Sequence, residues 1–151
     1  TKQKKEIEKM NYLVKHKKKQ AKIKKSVHEI IKYSKDNKIK LGFSTSTTIN
    51  NVEAVFNSLD GQIEKADFHF IGNKSLVKNE KPFPDIYKVA LANLNLKPEE
   101  CLAIEDTEES SNSAVNAGIK CIGFPGNYHI DDTFKMCIKK INLLDQSIFS
   151  L

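Results

Sequence analysis

The sequence predicts an α/β fold, a parallel sheet with helices on both faces, and three observations carry that expectation. Short apolar runs alternate with amphipathic ones four or five times along the 151 residues, the rhythm of strands returning through helices. The short runs are continuous in apolar or small side chains, as in Cys101-Leu102-Ala103-Ile104, which is how strands buried on both faces read. Hydroxyls, a lysine and an acid pair follow those runs, where open α/β sheets bind ligands.

Residues 1–35 read as helix, interrupted near Lys15 to Lys19. Ile23, Val27, Ile30 and Ile31 form one buried stripe, and Ile7, Met10 and Leu13 a weaker one. His16 and His28 lie among lysines, without acid or cysteine partners at metal-ligand spacing, and read as surface residues. Asp36-Asn37 is a turn. Ile39-Lys40-Leu41-Gly42-Phe43 is the first clear strand, and Ser44-Thr45-Ser46-Thr47-Thr48 follows it directly. The next helix puts Val52, Val55, Phe56 and Leu59 inward and stops at Asp60-Gly61.

Phe68-His69-Phe70-Ile71 reads as a strand ending at Gly72, with His69 a packed strand residue rather than a base. Pro84 opens a helix whose stripe is Ile86, Val89, Ala90 and Leu94. Pro82 and Pro84 stiffen the segment before it, so Lys81 is a fixed cation. Pro98 starts a short turn into the central strand, Cys101 to Ile104. That strand ends on Glu105-Asp106, and a helix follows from Thr107 to Gly118, a cap residue at each end. Lys120-Cys121-Ile122-Gly123 is the next strand, and Ile138 to Ile141 a final edge strand.

Composition narrows the class. No apolar run approaches a membrane span, and no signal-peptide core is present. Cys101, Cys121 and Cys137 are odd in number and widely spaced, which reads as free thiols in a reducing cytoplasm. The net charge of +6 hides an asymmetry: residues 1–40 hold 15 Lys against four acids, whereas residues 41–151 hold 10 Lys against 15 acids. The chain has no Arg, the residue that usually reads base edges and phosphate forks. The lysine run therefore reads as a solvated helical face, and neither nucleic acid nor a membrane is an expected partner.

Two stretches carry candidate chemistry. Five hydroxyls between a strand end and a helix N-terminus suit an anion, because side-chain O–H and free backbone N–H groups point the same way there. Helix capping is the plainer reading, but it needs only one of the five. The adjacent carboxylates Glu105 and Asp106 are two hard oxygen donors suited to Mg²⁺, against the plainer reading of a solvated acidic turn.

Their order along the chain carries a resemblance. Leu41-Gly42-Phe43-Ser44-Thr45-Ser46-Thr47 resembles motif II of the haloacid dehalogenase (HAD) superfamily. Lys81-Pro82-Phe83-Pro84-Asp85-Ile86-Tyr87 resembles motif III, and Ala103-Ile104-Glu105-Asp106-Thr107 with Ala114-Val115-Asn116-Ala117-Gly118 resembles motif IV. Residues 38–125 are covered, and the details resemble the β-phosphoglucomutase-like and sugar-phosphate phosphatase branch, including the xylulose-bisphosphate phosphatase group. The implied fold is a Rossmann-like HAD core over residues 37–151, with residues 1–36 the remnant of a helical cap. The implied activity is Mg²⁺-dependent phosphoryl transfer on a small phosphorylated metabolite, phosphatase ahead of phosphomutase. By resemblance Thr45 holds the transferring phosphoryl group and Lys81 neutralises developing charge. Asp106 ligates Mg²⁺ with Glu105 beside it, and Ser44, Ser46 and Thr47 touch substrate.

One departure stands out. Motif I of the superfamily, an Asp-x-Asp that supplies nucleophile and acid/base, has no counterpart, since no Asp-x-Asp occurs in the 151 residues. The expectation is a fragment without its first core strand and most of its cap, with that N-terminal segment a partner of the site; the alternative is a non-catalytic phosphate- or metal-binding remnant. The family's first strand lies between those of motifs II and IV, so its absence predicts either direct pairing of Leu41–Ser44 with Leu102–Ile104 or a gap between them. A two-component receiver domain also uses an acid pair, a Thr and a Lys, but there the acid pair comes first.

Overall fold

A computed structural model describes residues 25–151. Four α-helices and five strands of the expected α/β alternation, among the described residues, are each local consequences of the sequence. Helix α1 (Lys25–Asp36) ends where Lys38 turns into positive φ. Strand β1 (Gly42–Phe43) leads through the hydroxyl run into α2 (Ile49–Ser58), whose N-cap Thr48 accepts a hydrogen bond from the Asn51 N–H. Asp60 and Gly61, both at positive φ, end that segment. Strand β2 (Phe70–Ile71) precedes α3 (Asp85–Leu94), where Pro84 holds the cap position. Strand β3 (Leu102–Glu105), helix α4 (Glu108–Asn116), strand β4 (Lys120–Gly123) and the short β5 (Lys139–Lys140) complete the chain.

All strand pairs are parallel, but they form two sheets rather than one. β1 pairs with β2 through Gly42–Phe70 and Phe43–Ile71. β3, β4 and β5 form the second sheet, with Leu102 opposite Lys120 and Glu105 opposite Gly123. β1 and β3 do not pair with each other, and a cleft of about 1990 Å³ separates them, with Leu41 to Phe43 along one side and Leu102 to Glu105 along the other. Of the two expected arrangements, the gap is the one adopted.

Helices cover both faces of the β3–β4 pair, and strand alternation sorts the contacts. Ala103 and Cys121 pack with Ile86 and Tyr87 of α3 and with Ala114 of α4. Ile122, with Leu102 and Ile104, meets Ile30 of α1 and the C-terminal residues Leu144 and Ile148. α1 also sends Val27 and Ile31 into the third cluster, built on Val52, Phe56, Ile63 and Phe43. There Phe43, Phe56 and Phe68 meet edge to face at centroid distances of 5.6 to 5.8 Å. α3 likewise reaches both sheets, since Ile86 lies so close to Gly72 that a Cβ there would come within 2.8 Å of its Cδ1. One helix on each face thus spans the interruption.

Several expectations need correcting in detail. β1 covers two residues, not five, because only its β2 side is paired, although the His69 N–H still donates to Leu41 O at 2.8 Å. His69 is exposed rather than packed, and its Nδ1 accepts the Leu41 N–H at 3.1 Å. A ring nitrogen there takes the place of a ladder carbonyl. His28 is half-buried rather than on the surface, since α1 is covered on more than one side. The 1–24 part of the expected cap remnant, with Ile7, Met10, Leu13, His16 and Ile23, lies outside the described residues. Cys101, Cys121 and Cys137 are free thiols, as expected. Among the described residues no helix is long and apolar enough to cross a membrane.

Candidate active site

The cleft collects the residues singled out from the sequence. Ser44, Thr45, Ser46 and Thr47 line it after β1, and Glu105 and Asp106 line it at the end of β3, with Lys81 among them. Each arrives by a local route. The hydroxyl run spans the turn from β1 into α2, where Thr45 Oγ1 accepts the Thr47 N–H at 3.3 Å and Thr47 Oγ1 accepts from Asn51 Nδ2 at 2.8 Å. Glu105 is the last residue of β3, and Thr107 caps α4 by accepting the Ser110 N–H at 3.1 Å. The parallel register therefore delivers both motifs at strand ends.

Lys81 joins the two sides. Its Nζ donates to Ser44 O at 3.3 Å and to Glu105 Oε1 at 2.5 Å. The two side chains are only 7% and 10% exposed, so this pair is largely withdrawn from solvent. A buried charge left alone is costly, which makes the pairing a condition of having either group there. Tyr87 Oη also donates to Glu105 Oε1, and the Lys81 ammonium lies 5.3 Å from the centre of the Tyr87 ring. Burial first, and the nearby Glu105 charge second, push the Tyr87 hydroxyl well above the ordinary tyrosine range, so it stays a donor.

Asp106 differs from its neighbour. It is exposed, and among the described residues no hydrogen-bond donor engages its carboxylate. The nearest glycine, Gly126, leaves ordinary space beside Asp106 Oδ2, where a Cβ would stand at 3.7 Å. Two carboxylates without nitrogen or sulfur fit a hard cation. Among the described residues no group of three or more His, Cys, Asp or Glu is arranged around a metal position, so the acid pair by itself does not make a full ligand set.

Two features escaped the sequence reading. Tyr87 stood in the sequence only as the last residue of the run Lys81 to Tyr87 that resembles motif III, outside the apolar stripe of Ile86, Val89, Ala90 and Leu94 and with no role of its own. The other feature is a pair on the loop after β4: His129 and Asp132 line the cleft, with His129 Nδ1 and Asp132 Oδ2 at 3.0 Å. The Glu108 N–H donates to the same Asp132 oxygen and is the first cause holding that carboxyl below the usual range, with His129 a lesser one.

Comparison with known proteins gives a consistent relationship. The family of haloacid dehalogenase-like hydrolases matches residues 1–124. Protein CbbY of Cereibacter sphaeroides is 34% identical over 108 residues, 72% of this chain and 47% of that protein. The phosphorylated carbohydrates phosphatase of Thermotoga maritima is 36% identical over 97 residues, 64% of this chain and 43% of that protein. A solved CbbY variant from Rhodobacter sphaeroides, in complex with xylulose-(1,5)bisphosphate, superimposes with a TM-score of 0.82 at 28% identity, covering 91% of this chain and 62% of the other. The chain spans about half the length of the curated relatives it matches.

Proposed function

Since the chain belongs to the haloacid dehalogenase-like hydrolase family, we propose that it carries the charge-neutralising and metal-binding part of a Mg²⁺-dependent phosphohydrolase acting on a small sugar phosphate. The observation that carries this reading is the position of Lys81 Nζ, in contact with the Ser44 carbonyl and the Glu105 carboxylate at once. An ammonium held between a hydroxyl-rich turn and an acid pair is placed for phosphoryl transfer, which is mostly positioning and charge compensation.

In this reading Thr45 Oγ1 donates to a phosphoryl oxygen, and Ser44, Ser46 and Thr47 meet the remaining phosphate or sugar oxygens. Lys81 offsets the charge that develops on those oxygens. Asp106 and Glu105 would hold Mg²⁺, which neutralises phosphate charge and orients the transferring group when bound. The nucleophile is a carboxylate from a strand outside residues 1–151 that occupies the cleft between β1 and β3. Such a strand would satisfy the unpaired backbone groups of both edges. It would also complete the partial ligand set of the acid pair. The sugar-phosphate class is supported by the phosphatase name of the Thermotoga relative and by the bisphosphate bound to the Rhodobacter protein.

The test is phosphate release from a panel of sugar mono- and bisphosphates, with Mg²⁺, by the full-length gene product and by residues 1–151 alone. Turnover by the full-length protein, lost in its Thr45→Ala and Lys81→Ala variants and absent from residues 1–151, is expected. A full-length protein that hydrolyses none of the panel sinks the enzymatic reading in favour of the non-catalytic binding remnant, whose support is the lack of Asp-x-Asp in these residues.

A further inference from the structure

We infer that Tyr87 is a positioning residue for the metal-binding carboxylate, fixing which oxygen of Glu105 faces the cation. A carboxylate has about four acceptor positions, two on each oxygen. Among the described residues the two donors that reach the Glu105 carboxylate, Lys81 Nζ and Tyr87 Oη, go to the same atom, Oε1. Oε1 is thereby committed to the protein, and Oε2 is the oxygen left to meet a cation or its bound water. The inference rests on the Mg²⁺ site proposed above and concerns how that site is shaped.

The arrangement has a simple local origin. Lys81 and Tyr87 stand on either side of the Pro82-Phe83-Pro84 segment, and Tyr87 lies in the first turn of α3. Ile86 beside it is 2% exposed, and Tyr87 packs with Ala103 and Cys121, so the ring has little freedom to swing away. Two functions follow from one ring. Its hydroxyl holds Glu105, and its face attracts the Lys81 ammonium at 5.3 Å. Carboxylates and imidazoles that ligate metals are commonly oriented by such outer partners, whose loss costs about 10- to 100-fold in metal affinity.

Tyr87→Phe in the full-length protein separates the two functions, because it keeps the ring and removes the O–H. Isothermal titration with Mg²⁺ should show affinity weakened about 10-fold, with kcat falling at limiting Mg²⁺ and KM for the phosphate ester unchanged. Tyr87→Leu, which also removes the ring face, should in addition weaken binding of inorganic phosphate. A measurement on the unaltered protein guards against a variant that folds poorly: Mg²⁺ titration should produce a tyrosine ultraviolet difference spectrum that saturates with metal occupancy. If the unaltered protein binds Mg²⁺ but shows no such spectrum, or Tyr87→Phe binds Mg²⁺ as tightly as the parent, the role of Tyr87 is overturned and the metal site stands. An unaltered protein that takes up no Mg²⁺ overturns the site and this inference together.

Discussion

Glu105 and Thr45 line one cleft from two different sheets, and the surroundings of each are built differently. On the Glu105 side, β3 pairs with β4 over four positions and lies between two hydrophobic clusters. The acid there is held by a buried ammonium and a buried tyrosine. On the Thr45 side, β1 pairs with β2 over two positions, and the hydroxyls are held by near neighbours in sequence, the Thr47 N–H and the Asn51 side chain of α2. The difference follows from the chemistry each side carries. A carboxylate withdrawn from water needs a partner brought from elsewhere in the chain, whereas these hydroxyls are neutral and find partners two to four residues away.

That contrast can be broken by experiment. Removing the cation with Lys81→Met leaves Glu105 buried without its counter-charge and should destabilise the fold by about 3 kcal/mol, read from denaturant unfolding. Thr45→Ala on the other side removes one part-buried bond and should cost about 0.5–1 kcal/mol. Equal losses at the two positions would end the claim that the sides differ in construction.

The strands themselves give a second, smaller contrast. A Cβ at Gly123 of β4 would meet the Phe134 ring at 2.5 Å and the Phe134 Cβ at 3.0 Å, so Gly123→Ala should cost about 2 kcal/mol. At Gly42 of β1 the nearest atom to an added Cβ is Leu94 Cδ1 at 3.4 Å, and Gly42→Ala should change the unfolding free energy by less than about 0.5 kcal/mol. A reversed order would place the tighter packing on the β1 side.

The smallest effect expected is on acid stability. Asp132 is held below the ordinary carboxylate range, first by the Glu108 N–H and then by His129, and Glu108 is held low by the Thr133 hydroxyl. The unfolded chain therefore takes up protons at higher pH than the folded one. The contribution of these groups is present above the unfolded carboxylate pKa of about 3.9–4.3 and is lost as pH falls through the lower folded values. Both groups are solvent-accessible, so the contribution is small. Asp132→Asn should lower the thermal midpoint slightly near neutrality, flatten its fall below that pH, and leave the midpoint in strong acid almost unchanged.

Much of the site was legible because its parts are local. The hydroxyl run sits at the end of a strand, Thr107 caps the helix behind the acid pair, and Gly118 at positive φ ends that segment. What escaped were the groups whose partners lie far along the chain. Tyr87 is legible as the end of the motif III run, but its hydroxyl gains a meaning only when β3 brings Glu105 to it. His69 shows the same limit from the other direction: its strand was legible, but its exposure and its bond to the Leu41 N–H were not.

By itself, then, the order of residues determined the alternation of elements, the family motifs, and the strand ends at which hydroxyls and carboxylates stand. Periodicity and capping act over a few residues, so they can be read from a few residues. The tertiary structure alone decided that β1 and β3 remain apart, that Lys81 touches both sides of the cleft, and that Glu105 is held through one oxygen. Those outcomes depend on α1 and α3 each packing against both sheets, and burial summed over distant residues leaves no mark in any short stretch of sequence.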